Sequence, residues 1–414
     1  MKTLSIFVAA VLVLLLFALP AHALQSVYVP NASFEWPANN PAWTYSAIAG
    51  WDSNSYTVGV CGSGQADNGN RPDKTQVAFI DTFGTVTGGY VQIRSASLAF
   101  DTNLEYCLQL WLNARENLSA YSTNFCIYAV YVGQNLLGTY TNSAVGIGNP
   151  YQFRSFVFKP LFPDARVAIR NYRLDDSAPG TGTLSCLLVD AVCLYQRSRP
   201  NEILVKNPSF EASGEQGPGG GGVGLINVST NWFPPQPNDV MAGWSYYDGG
   251  YNSAAFGTGT NSNPYIAPAS VPEGQNAFFD NKSEVWYVNS GYQTMLKQTI
   301  EGLTPSEVYN LSYNYNARPG MNNIYSPSNF TVRIGGVEVQ RQDFLPWSMP
   351  FYFTTVTFAA DWTSMELVFG TSNSVSGCSM LLDDVEIWPV PEPVGAALIG
   401  LGVLALRGVR RLKC

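Results

Sequence analysis

Histidine is nearly missing from this chain. The 414 residues hold one, His22, and it lies in a leader expected to be removed. Ser-His-Asp and Cys-His catalysis, and metal sites built on imidazole, are thereby outside the reach of the rest of the protein. Charge is scarce too: Asp, Glu, Lys and Arg make up 13% of the residues, with a net charge of −8. A chain so acidic and so poor in cations is a weak partner for nucleic acid. No Cys-x-x-Cys pair occurs among the 7 cysteines, which removes the common zinc and dithiol motifs. Long apolar runs are confined to the two ends.

At the first end Lys2 is followed by an apolar run from Val8 to Leu19 and by the small-residue site Ala21-His22-Ala23. That is the three-part build of a secretory signal peptide over residues 1–23, with the mature chain starting near Leu24. At the second end Pro391, Glu392 and Pro393 precede an apolar run from Val394 to Leu406, then Arg407, Arg410, Arg411 and Lys413. A helix needs roughly 20 apolar residues to cross the hydrocarbon layer. This run is shorter, and its basic cluster would stay on the cytoplasmic side. Pro-Glu-Pro, a short Gly/Ala/Leu helix and an Arg-rich end resemble the PEP-CTERM sorting signal of Gram-negative bacteria. The resemblance implies that residues 390–414 are an address read by an exosortase. It also implies transient membrane association through the C-terminal helix, and delivery to the cell surface or extracellular matrix. A plain tail anchor is the alternative.

Between the ends the charge is more negative. Of 22 basic residues, Lys2, Arg407, Arg410, Arg411 and Lys413 belong to the ends, and of 30 acidic ones only Glu392 does, which leaves −12. Aromatics make up 13% of the chain, alongside 38 Gly and 26 Pro, a composition that favours short strands joined by turns.

The middle says the same thing twice. Asn31-Ala-Ser-Phe-Glu35 returns as Asn207-Pro-Ser-Phe-Glu211, and Gly50-Trp51 as Gly243-Trp244. "VAFID", ending at Asp81, returns as "AFFD", ending at Asp280. Asn113-Ala-Arg115 returns as Asn316-Ala-Arg318, and "LLVDAVCLY" with Asp190 as "LLDDVEIW" with Asp383. Common order and too few copies for a solenoid predict a tandem duplication, with domains over 24–197 and 203–388. Runs such as "YNLSYNYNA", "FTTVTFAA" and "ARVAIRNYRL" carry β-branched and aromatic residues between turn signals, without a helical period. The predicted fold class is all-β, two tandem antiparallel β-sandwiches. The segments "NPSFE", "GW", "VPEGQNAFFD" and "LLDDVEI" resemble galactose-binding-like jelly rolls, which include carbohydrate-binding modules. That resemblance implies a polysaccharide or cell-surface glycan as partner.

Glu35 with Asp190, and Glu211 with Asp383, bracket the two domains. In a jelly roll the first and last strands lie together, so each pair of hard oxygen ligands suits Ca²⁺. In the resembled families such a calcium is structural. Asp384 is an alternative ligand, and a turn cap with a backbone-bonded Asp is the alternative role. Arg115 and Arg318 are placed either to donate to sugar hydroxyls or to fasten a strand end. Trp286, Tyr287, Tyr292, Tyr246, Tyr247, Trp43 and Tyr45 fall in turn-rich stretches and are candidates to stack on sugar rings. Trp51 and Trp244 are expected in the core. Cys107 and Cys126 lie in "EYCLQLWL" and "NFCIYAVYV", read as neighbouring strands that a disulfide bridges or that hold reduced thiols. The Gly-rich run 214–224 lacks a phosphate-loop ending and is expected to be a surface loop. A non-catalytic polysaccharide-binding protein is the leading reading, and a purely structural matrix protein the next. A glycoside hydrolase ranks behind them, because adjacent acids such as Asp383-Asp384 point to opposite faces of a strand.

Overall fold

The computed structural model describes residues 25–34, 44–62, 72, 76–82, 89–115, 125–143, 151–172, 185–199, 201–208, 210, 224–226, 242–247, 255–260, 275–281, 293–317, 328–345, 351–372 and 378–390. Their regular structure is strand throughout, with no helix long and apolar enough to cross a membrane.

The first unit begins with β1 (Gln25–Ser26), β2 (Thr44–Tyr45), β3 (Trp51–Ser53), β4 (Val58–Cys61) and β5 (Val77–Asp81). It continues through β6 (Tyr90–Ser95), β7 (Leu98–Ala99), β8 (Tyr106–Ala114), β9 (Phe125–Val132) and β10 (Asn135–Ser143). It ends with β11 (Gln152–Phe158), β12 (Asp164–Ala165), β13 (Val167–Tyr172) and β14 (Cys186–Gln196). A seven-stranded sheet runs β11-β8-β14-β5-β4-β2 with β1 on β14, and a five-stranded sheet runs β10-β9-β13-β6-β3.

The second unit comprises β15 (Gly224–Ile226), β16 (Ser245–Tyr247), β17 (Ala255–Thr260), β18 (Gln275–Asn281), β19 (Gln293–Glu301) and β20 (Val308–Ala317). It closes with β21 (Ser328–Ile334), β22 (Val337–Leu345), β23 (Tyr352–Ala359), β24 (Ser364–Ser372) and β25 (Cys378–Pro389). Its sheets run β15-β17-β18-β25-β20-β23 and β16-β19-β24-β21-β22. Strand pairing is antiparallel throughout, and no named strand of one unit pairs with a named strand of the other among the described residues.

Alternation explains how these sequences become sandwiches. In β20, Tyr309, Leu311, Tyr313 and Tyr315 enter the core with Val332 and Phe369 of the facing sheet. Ser312, Asn314 and Asn316 take the opposite face. In the first unit Leu108 and Leu110 meet Val130 and Ile169 in the same way. Each such side chain contributes about 1.5–3 kcal/mol on burial. Asn171 ties the two sheets together: its Nδ2 donates to Ile80 O at 2.8 Å and to Ser185 O at 2.9 Å.

The seven-stranded sheet is apolar on its other face as well. Phe79, Trp111, Leu188, Cys193 and Tyr195 form a second buried layer that includes Ala242 and packs Leu204 from the second unit. In the middle of that layer Gln109 joins the units, its Nε2 donating to Val205 O and its Oε1 accepting from Asn207 N, both at 2.8 Å.

The strands bearing Cys107 and Cys126 are not neighbours. β8 belongs to the seven-stranded sheet and β9 to the five-stranded one, because in this topology the chain crosses between sheets after β8. Cys107 faces the second layer and Cys126 the core. Both are reduced thiols, and burial pushes both pKa values up.

Candidate functional site

The recurring residues build one local arrangement, made twice. Asn31 and Asn207 have φ of 50° and 46°, and Phe34 and Phe210 have φ of 59° and 61°. The turn closes with Phe34 N donating to Asn31 O at 3.0 Å and Phe210 N to Asn207 O at 3.3 Å. Each buried phenylalanine packs on the repeated tryptophan, with ring centroids 5.3 Å apart in both units. Trp51 and Trp244 are buried, as expected. Gly50 and Gly243 sit at φ 77° and 79°, where a Cβ would lie 2.7 Å from Pro30 Cβ or 2.6 Å from Lys206 Cβ. Only glycine suits such a position.

This turn is fastened to the last strand of its unit. Ala32 O accepts from Val192 N at 2.9 Å, and Pro208 O from Val385 N at 3.0 Å. Asp190 and Asp383 stand beside that junction, each 0% exposed. Asp190 Oδ1 accepts from Ala191 N at 2.8 Å and Asp383 Oδ1 from Asp384 N at 2.9 Å. The accepting amides belong to residues at φ 50°, inside matching bulges of β14 on β8 and β25 on β20. Asp384 Oδ2 accepts from Asn314 Nδ2 at 2.8 Å. Glu35 and Glu211 lie outside the described residues. No group of three or more potential ligands gathers among the described ones.

The Asn-Ala-Arg repeat is structural at its first residue: Asn113 and Asn316 are buried, and each Oδ1 accepts the following amide at 2.9 Å. Arg115 follows β8, its amide donating to Cys186 O at 2.9 Å. Burial holds the Cys186 thiol well above its usual pKa, the Asp81 charge adds to this, and Arg115 opposes it. Arg318, Trp43, Trp286, Tyr287 and Tyr292 lie outside the described residues. So do the sorting residues Pro391, Glu392, Pro393, Arg407, Arg410 and Arg411. Tyr246 and Tyr247 belong to β16, the edge of the second five-stranded sheet.

Tyr45 is the candidate that reaches a concave surface. With Ser46, Ile48, Asp52, Ser55 and Tyr56 it lines a cleft of about 460 Å³ at the β2–β3 edge of the first sandwich. Tyr45 is 47% exposed and Tyr56 77%. The Tyr45 ring stands edge-on to Phe79 at 5.5 Å, and its hydroxyl donates to Asp81 Oδ2 at 3.2 Å. Tyr56 is presented by a hydroxyl-rich turn. Ser53 Oγ accepts from Ser55 N at 3.0 Å, Ser55 Oγ contacts Thr57 Oγ1 at 2.9 Å, and Asn54 Oδ1 accepts from Gln92 N at 2.9 Å. Asp52 sits at the cleft's rim, bonded to Arg94 Nε at 2.7 Å and to Arg166. Burial works against its charge, but the two guanidiniums outweigh that and hold its pKa below the usual carboxylate range. Sequence reasoning missed Tyr56 and Asp52. The available signal was the Ser-Asn-Ser-Tyr run just after Gly-Trp.

No family model matches the sequence, and no curated protein matches it. Solved structures that are similar include the Stig cyclase Fisc from Fischerella sp. TAU, at 19% identity and a TM-score of 0.33, over 46% of this chain and 98% of that one. TmCBM61 in complex with beta-1,4-galactotriose is 12% identical with a TM-score of 0.28, over 45% of this chain and 99% of its own. The CBM22-1 xylan-binding domain of Xyn10C from Paenibacillus barcinonensis is 14% identical with a TM-score of 0.25, over 37% and 88%.

Proposed function

We propose that this is an exported, non-catalytic protein of the cell surface or extracellular matrix of a Gram-negative bacterium, and that it binds polysaccharide. The observation that carries the reading is the cleft in which Tyr45 and Tyr56 present exposed rings beside a rim of serine hydroxyls. Sugar rings offer apolar C–H faces to aromatic planes, while rim hydroxyls satisfy the sugar's own. Export is supported by the signal over residues 1–23 and by the sorting segment over 390–414, which an exosortase would read. A structural calcium at each Glu/Asp bracket belongs to the same reading.

The non-catalytic part rests on the cleft's chemistry. Glycoside hydrolysis takes two carboxyl groups, one able to give up a proton. Among the described residues the carboxylate in the lining is Asp52, and two arginines hold its pKa below the usual carboxylate range. Binding of the purified protein to a glycan panel tests the proposal. Tyr45→Ala and Tyr56→Ala should each weaken retention about tenfold, the equivalent of ~1.4 kcal/mol. Retention unchanged in both variants removes the cleft as the site, and release of sugar from any polymer refutes the non-catalytic assignment.

A further inference from the structure

We propose that the outward face of the five-stranded sheet of the first sandwich binds a carboxylate-bearing, uronate-type polysaccharide, with Arg170 as the group that receives the carboxylate. This rests on the reading of the protein as a polysaccharide binder and names the chemical class of its ligand.

Arg170 lies on β13, where Val167 and Ile169 point into the core, so its side chain takes the opposite face. The guanidinium is clamped between two rings, 4.5 Å from the Tyr90 centroid and 4.1 Å from that of Tyr131. Its Nε donates to Gln92 Oε1 at 3.0 Å. Tyr131 and Tyr172 hydroxyls lie 3.2 Å apart beside it. Every one of these partners is neutral, and no carboxylate pairs with Arg170 among the described residues. A held, uncompensated guanidinium is pre-organised for a planar anion, which its parallel N–H bonds match. The rings that hold it are also the surfaces on which a sugar lies.

The charge around it points the same way. The strands of this sheet carry Arg94 and Arg170, with Arg166 immediately before β13, against one carboxylate, Asp52. Arg94 and Arg166 share that carboxylate, so the face is cationic in a chain whose net charge is −8. The strands of the matching sheet in the second sandwich carry no such excess: Lys297 pairs with Glu366 at 3.2 Å, Arg333 with Glu338 at 3.8 Å and Arg341 with Asp343 at 3.0 Å, and Glu301 adds a further carboxylate. Ala129 stands opposite Arg170 and Ala168 opposite Tyr131, both buried beneath the larger side chains of this face.

Polygalacturonate and its fully methyl-esterified form share a backbone and differ in charge, which makes them suitable ligands for a binding assay with the full protein. The acid form should bind at least tenfold more tightly, with affinity falling as salt rises. Arg170→Gln should abolish that preference while leaving binding of the ester unchanged, at a small cost in melting temperature from the lost ring contacts, and Arg170→Lys should keep part of it. Equal binding of both polymers, or a preference that survives Arg170→Gln, overturns this inference and leaves the polysaccharide reading intact. Binding of neither polymer, nor of any neutral glycan, overturns both.

Discussion

Replacing Glu202 with glutamine should make the protein's stability less dependent on pH. Glu202 lies in the link between the sandwiches, next to Ile203, which bridges to Ile387 of β25. Its Oε2 is shut off from solvent without a hydrogen-bond partner. Burial, and then the like charge of Glu386, pushes its pKa from 4.5 up to about 8, with Arg197 opposing. Tyr195 and Cys107 of the first sandwich also feel its charge, and Glu386 Oε2 accepts from Ser198 Oγ at 3.0 Å. The sign follows from which state holds the proton more tightly, here the folded one. Below the unfolded pKa the group is protonated in both states and nothing is lost. Above it folding must take up a proton, and stability falls by about 1.4 kcal/mol per pH unit until the folded pKa is passed. That amounts to about 3 kcal/mol by pH 7 and on the order of 5 kcal/mol above pH 8. Glu202→Gln, neutral at every pH, should match the parent near pH 4.5 and exceed it increasingly toward pH 8. Amide exchange of Ile203 and Val205, together with urea midpoints at a series of pH values, reads the difference. Parallel pH profiles for parent and variant would refute the argument.

Gln109→Ala should leave Val205 O and the Asn207 amide without their partner, costing about 1–3 kcal/mol at the junction, visible as faster exchange of Asn207. Gly243→Ala combines positive φ with a clash on Lys206 and should lower the melting temperature by the equivalent of about 1–3 kcal/mol. Ser245→Ala, two residues along, should not. If calcium sits at the Glu/Asp brackets, chelator lowers the melting temperature of the parent. Asp383→Asn keeps the acceptor for Asp384 N but should lose that response, and a parent indifferent to chelator removes the metal.

The all-β fold was legible because it rests on a local signal, alternation along strands between turn residues. Each recurrent motif proves to be a packing device. Asn31, Phe34, Gly50, Trp51 and Asp190 together make a turn, a ring contact and a bulge cap, as do Asn207, Phe210, Gly243, Trp244 and Asp383. Features assembled from distant strands were not legible. Arg170, Tyr90 and Tyr131 come from three strands whose only common property is register across the sheet, and nothing in their linear spacing marks them. The placing of Cys107 and Cys126 on neighbouring strands failed for a related reason, while the reduced-thiol alternative holds. Consecutive strands in a sandwich often belong to opposite sheets, so nearness in sequence does not mean pairing.

Recurrent motifs need not mean equivalent surfaces, and the junction shows why. The same face of the same sheet is largely apolar in the first sandwich and polar in the second: Cys107, Trp111 and Cys193 stand around Gln109 where Asn310, Asn314 and Glu386 stand around Ser312 in the repeat. The registers of Trp111 on Asp190 and Asn314 on Asp383 establish that correspondence. With Leu204 and Ala242 packed on it and Gln109 bonded through it, the first sandwich has given that face to its neighbour. Among the described residues, the β2–β3 cleft with Tyr45 and Tyr56 and the five-stranded sheet with Arg170 take no part in that layer. The second sandwich, with its paired charges on the matching sheet, is under no such displacement. Binding measured for the whole protein should therefore respond to Tyr45, Tyr56 and Arg170, while neutralising Lys297 or Arg333 leaves it unchanged. A glycan whose affinity falls on Lys297→Gln but not on Arg170→Gln would show that the roles of the two copies are reversed.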